Sequence, residues 1–179
     1  IYISLMNSPI FILGALWGSL YLSQSFGLSN TESGVITSMI FIGMIIGSPF
    51  MGWLSDKLKM RRFPMIFFAI DLAYILSILI FSSQLNFYML LSIFFAIGFS
   101  CSAHTIAYSH IAECNSKTIT GTAEALASTL MLAGGLAQAP FAWILNSKWS
   151  GKIIDGVAVY SPADFHRAIS MVIVGILLA

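Results

Sequence analysis

A chain of 179 residues that is 58% hydrophobic and only 8% charged is not a soluble domain, in which about a quarter of residues carry charge. Its net charge of +1 implies nothing about nucleic acid, and with no basic stripe interleaved with aromatics outside the apolar runs no nucleic-acid partner is expected. It is a chain for lipid, and helices are expected because a backbone in hydrocarbon must satisfy its own hydrogen bonds; no run alternates with the period of a barrel strand.

In chain order, apolar runs predict spans over residues 3–24, 35–54, 63–82, 87–112 and 121–145, then a shorter one over 162–179. A bilayer requires roughly 20 such residues per helix. The first residue is Ile and the last run is short, so the chain is expected to be cut at both ends. No secretory signal with a charged leader and cleavage site is read.

In the first span Ser4, Asn7, Ser8, Phe11, Gly14, Trp17 or Gly18, Tyr21 and Gln24 recur at spacings of three and four, which makes one side wettable. Asn7, Trp17, Tyr21 and Gln24 are therefore candidates to line a substrate cavity. Helix packing is the alternative, since Gly14 with Gly18, and Gly43 with Gly47 in the second span, form G-x-x-x-G pairs.

The loop after the second span, "GWLSDKLKMRR", gathers Asp56, Lys57, Lys59, Arg61 and Arg62 from a chain with only 8 basic and 7 acidic residues. The fourth loop adds Lys117 and the fifth Lys148 and Lys152, whereas the first and third hold no Lys or Arg. The positive-inside bias puts loops two and four in the cytoplasm of a cell (inner) membrane, with both ends of the block on that side. Topological anchoring accounts for the cations but not for Gly52 or Asp56. A carboxylate at a helix C-terminus is disfavoured unless a cation or another helix's N-terminus offsets it.

Asp71 is an ionisable group deep in the third span, read as a structural hydrogen-bonding group or a proton-coupling candidate. The fourth span carries Ser100, Cys101, His104, Thr105 and Tyr108 on one broad face. A histidine in hydrocarbon is a functional-site hypothesis and titrates in a range suited to proton coupling. His104 is thus a substrate and proton candidate, with Thr105 and Tyr108 beside it; a neutral His bonded to a neighbouring helix is the alternative. His110 and Glu113 read as an interfacial pair. Cys101 with His104, and His110 with Cys114, offer two ligands each, too few for a metal site. Neither metal nor cofactor is expected.

Glu124 is placed in the first turn of the fifth span, where the helix dipole favours a carboxylate; it is the third proton candidate. Gln138, a further cavity candidate, and Pro140 mark a bend. Ser161, Pro162 and Asp164 supply an N-cap, a proline at the first position and an acid at the third. No H-E-x-x-H, G-x-S-x-G or P-loop pattern indicates an enzyme.

The pattern formed by Gly52, Asp56, Lys57, Arg61 and Arg62 resembles the signature loop of the major facilitator superfamily. Lys59 replaces its usual second Gly, which loosens the expected turn. The stretch "GTAEALASTLMLAGGLAQAPFAWIL" looks like the eleventh helix of such transporters, and "YSPADFHRAI" is similar to the lead into their last helix. The resemblance implies an all-α membrane protein built of two six-helix halves. This chain would be the C-terminal half, because its fourth span lacks the Arg typical of the other. It further implies a secondary transporter moving a small, unidentified solute by alternating access, with protons as candidate coupling ions. In that family the first helix lines the cavity and the third lies outside. Asp56 would meet a helix N-terminus of the opposite half and latch one face shut, with Lys57, Arg61 and Arg62 as cationic partners. The implied partners are membrane lipid and either the other half or a second copy of this chain. A non-transporting scaffold or sensor half is the alternative.

Overall fold

A computed structural model describes residues 1–82, 84–154 and 156–179. The first span begins as α1 (Tyr2–Pro9) and widens into a π-helical stretch, Ile10–Leu16. It breaks at Trp17 and turns by 65° into α2 (Gly18–Phe26). Pro9 has no N–H for the Leu5 carbonyl; the Ser8 hydroxyl donates to it instead, at 2.7 Å. At the break the Trp17 N–H reaches back five residues to Ile12 (2.7 Å). A Cβ on Gly18 would overlap the Leu13 carbonyl oxygen, so this bend requires glycine.

α3 (Asn30–Leu58) starts at a reciprocal cap, in which the Ser29 hydroxyl accepts from the Glu32 N–H and the Glu32 carboxylate accepts from the Ser29 N–H. It packs closely on α5 (Phe87–Cys101). Glycines permit that approach: a Cβ on Gly43 would overlap the Phe95 carbonyl, one on Gly98 the Ile40 carbonyl, and one on Gly47 the Ser102 hydroxyl. α4 (Arg62–Phe81) follows α3 after a short turn.

The fourth span, Phe87–Cys114, runs through α5, a 3₁₀ turn at Ser102–Thr105 and α6 (Ile106–Cys114). The fifth, Thr120–Asn146, is likewise α7 (Thr120–Leu132), a 3₁₀ stretch at Ala133–Ala137 and α8 (Gln138–Asn146). A small antiparallel hairpin, β1 (Ile153–Ile154) with β2 (Val157–Ala158), leads to α9 (Pro162–Leu177). The Ser161 and Asp164 cap and the proline at its start are as the sequence indicates.

Among the described residues four helices are long and apolar enough to cross a membrane, and five if the bent first pair counts as one. α9, at 16 residues, reaches only about 24 Å against a hydrocarbon core of about 30 Å. The turns after α3 and α6 lie together at one end of the bundle, joined by Arg61 and Glu113. The end of α2 and the hairpin lie at the other, joined by Gln24. Met6, Ile36, Ile40, Leu76, Phe94, Phe141 and Phe165 fill the core between the spans, while Ile45, Ile66, Leu136 and Trp143 face outward.

Candidate functional site

The charged end is organised by one guanidinium. Arg61 Nη1 donates to Asp56 Oδ1 (2.6 Å) and Ser55 Oγ (2.8 Å). Its Nη2 and Nε both donate to Glu113 Oε1, at 2.6 and 3.1 Å. The Arg61 side chain is only 18% exposed, against 69% for Asp56 and 53% for Glu113. A screened cation therefore holds two carboxylates open to water. Glu113 first, then Asp56, keeps the guanidinium charged still more firmly than usual. Such exposed pairs add little stability, but the forked donor fixes their geometry.

The other cations of the signature go elsewhere. Lys57 Nζ sits 4.7 Å over the Trp53 ring, and Arg62 lines a cleft of about 510 Å³ with Tyr2, Met65 and His110. Among the described residues only Arg61 pairs with Asp56, whose Oδ2 accepts no hydrogen bond. Glu113 turns to Arg61 rather than forming the expected pair with His110, which instead lies 3.9 Å from Cys114 Sγ. The sequence places Glu113 with His110, three residues before it, and carries no local sign of Arg61, 52 residues away.

Two backbone features bear on this loop. Lys59 adopts the left-handed conformation, φ 52° and ψ 25°, and closes α3. The turn is therefore as tight as a glycine would make it, contrary to the looser turn expected, and an L side chain carries the strain. Gly52 differs from the packed glycines of α3: a Cβ there meets nothing within 4 Å.

The bend at Trp17 divides the residues expected on one wettable side of the first span. Tyr21 is fully buried, donates to the Leu79 carbonyl (3.1 Å) and packs edge-on to Phe165. Gln24 bonds through both amide atoms to the hairpin, donating to Ala158 O (2.8 Å) and accepting from the Tyr160 N–H (2.9 Å). Both side chains are engaged in ties within this chain. Trp17 belongs to an aromatic cluster with Phe141 and Tyr160, at 5.8 and 6.3 Å. Its indole N–H is buried without a partner among the described residues. Asn7 is buried, and its amide makes no hydrogen bond among the described residues.

His104 is buried in the 3₁₀ turn, its Nδ1 2.8 Å from the Cys101 carbonyl. That contact assigns the proton to Nδ1 and leaves Nε2 as an acceptor. Thr105 donates to the Ser102 carbonyl. Tyr108 joins the fourth and fifth spans, accepting from Ser128 (3.3 Å) and donating toward Met131 Sδ (3.6 Å). Gln138 reaches the first span, its amide donating to Phe11 O at 3.1 Å. Glu124 falls just past the first turn rather than within it, because α7 begins at Thr120, one residue earlier than expected, and has no acid in its first turn. Asp71 accepts from Ser100 at 2.6 Å. The structure thus joins Tyr108 to Ser128 near Glu124, and separates this group from Trp17, Tyr21 and Gln24.

A bundle of apolar, irregular spans with a signature loop tied by Arg61 defines the class. The sequence profile of the Major Facilitator Superfamily matches residues 4–179, and the chain belongs to that superfamily. A particular relative is the "Membrane sensor protein UhpC" of Escherichia coli (strain K12), 31% identical over 140 residues, which are 75% of this chain and 32% of the relative. The chain therefore spans about a third of that protein's length. No solved structure matches it.

Proposed function

We propose that this chain is the C-terminal six-helix half of a secondary transporter that moves a small solute by alternating access across the cytoplasmic membrane. The observation that carries the reading is the Arg61 hub, which holds Asp56 by one oxygen and leaves the other uncommitted at the end of α3. A latch needs such a carboxylate, oriented by its own chain and able to accept from a helix N-terminus of a second body. Open space over Gly52, one turn before Asp56, supports docking of that body there. The second body is the other half or a second copy of this chain. The positive-inside bias puts the hub in the cytoplasm, with both ends of the block.

The cavity wall contributed by this half is assigned to Asn7, His104, Thr105, Tyr108 and Gln138, with Glu124 near its cytoplasmic end. His104 is the first candidate for proton coupling, since its Nε2 remains free to accept, and Glu124 the second. The test is accumulation of a panel of labelled solutes by cells expressing the full natural reading frame. Uptake that is lost in Asp56→Asn, in protein still inserted, supports the latch; unchanged uptake contradicts it. Where uptake depends on pH, His104→Ala should abolish that dependence, and a retained profile removes His104 from the proton path.

A second reading is favoured by the relative's printed name, which calls it a membrane sensor protein. A sensor half would use the same latch to report occupancy without moving solute. It predicts ligand-dependent conformational change with no uptake of any panel member.

A further inference from the structure

Asp71 lies midway along the 20-residue α4, about 14 Å from the charged end at Arg62, and the latch does not use it. It opens on a crevice of about 310 Å³ between α4 and α5, lined by Phe67, Phe68, Phe95, Phe99 and Ser100. Ser100 donates to Oδ2, and Oδ1 accepts nothing among the described residues. Among the described residues no Lys, Arg or His lines the crevice. Ile66, Ile70 and Tyr74, beside it on α4, are all more than half exposed, so this face presents apolar chains outward.

A carboxyl group at this depth is costly to leave incompletely satisfied. Ser100 serves one oxygen only. The surrounding phenyl rings attract cations through their faces, and the remaining walls accept hydrocarbon. The volume lies at the lower end of small-molecule sites. We propose that the crevice between α4 and α5 is an intramembrane binding site for a lipophilic amine, whose ammonium group bonds Asp71 Oδ1 while its alkyl chain lies on Phe67, Phe68, Phe95 and Phe99. The amine enters from the bilayer, and the site is separate from the central cavity. The inference requires only that α4 crosses the membrane, and stands whether the whole protein transports or senses.

The experiment is equilibrium binding of tritiated dodecylamine to the purified full-length protein in detergent, read by scintillation proximity. The expected result is saturable binding of one amine per chain, competed by unlabelled dodecylamine and not by dodecanol. Asp71→Asn should weaken it at least about tenfold in protein with unchanged helical circular dichroism and elution. Should that variant fail to fold, Ala96→Phe carries the test in its place: Ala96 lines the crevice, and a phenyl ring there fills it while the carboxyl group is kept. Full affinity in the folded variant, or equal competition by dodecanol, overturns the proposal, the latter marking a crevice for lipid tails. A dimeric protein that binds no amine also overturns it, and marks a face covered by a second copy.

Discussion

Arg61 and Glu113, 52 residues apart in the chain, meet through two N–H donors of the guanidinium, with Nη2 2.6 Å from Oε1. The contact ties the turn after α3 to the end of α6, and the same guanidinium holds Asp56. The position of Asp56 thus depends on a helix distant in sequence. Glu113→Gln is expected to leave insertion and thermal stability nearly unchanged, because exposed ion pairs contribute little. It should nevertheless lower latch-dependent activity in the same direction as Asp56→Asn. A wild-type rate in Glu113→Gln would show that Asp56 works without the hub.

Gly52 and Gly43 lie on one helix and predict opposite outcomes. Gly43→Ala places a methyl against the Phe95 carbonyl and should destabilise the bundle by about 1–3 kcal/mol, the usual cost of overpacking. Gly52→Ala meets nothing within 4 Å among the described residues and should stabilise α3 by up to about 1 kcal/mol through helix propensity. If a second body docks at Gly52, that same stabilised variant loses activity. Heat unfolding followed by circular dichroism, with an activity assay beside it, separates the two effects.

Lys59 holds a left-handed conformation with a side chain attached. Replacing it with glycine removes a penalty of about 1–2 kcal/mol and adds backbone freedom to the unfolded chain, worth about 0.5–1 kcal/mol. Lys59→Gly is expected to gain about 0.5–1 kcal/mol in thermal unfolding. A loss would mean that the Lys59 ammonium contributes more than the strain costs.

Gln24 bonds to two backbone groups of the segment before α9. Gln24→Ala leaves the Tyr160 N–H and the Ala158 carbonyl without this partner, at a cost of about 1–3 kcal/mol where they stay out of water. Hydrogen exchange should quicken at the Tyr160 amide, while the Arg61 end of the bundle stays protected. Uniform quickening across all spans would contradict a local tie.

The signature loop was legible because its residues are close in sequence and their geometry follows from one helix end and one turn. Its tightness was not, since Lys59 gives no local sign that it accepts a positive φ. The polar stripe of the first span was read on a straight helix with a period of 3.6. The π-helical stretch and the 65° turn break that period between Gly14 and Gly18, so Tyr21 and Gln24 rotate into contacts within the chain. Pro9 and the two glycines signal weakness there, but the direction of bending depends on packing. The partner of Glu113 was not legible because Arg61 stands 52 residues away in the chain, whereas the bond between Asp71 and Ser100 was foreseen in kind though not in partner.

The central claim is that Asp56 closes the cytoplasmic face. It is tested most directly by the solvent accessibility of position 128, beside Tyr108 on the fifth span. With Cys114 replaced by Ser and Ser128 by Cys, the full-length protein is labelled by a membrane-impermeant maleimide in inside-out vesicles, with and without Asp56→Asn. The account predicts labelling at least several-fold faster when Asp56 is neutralised, because the unlatched face opens. Equal rates in the two proteins would contradict it.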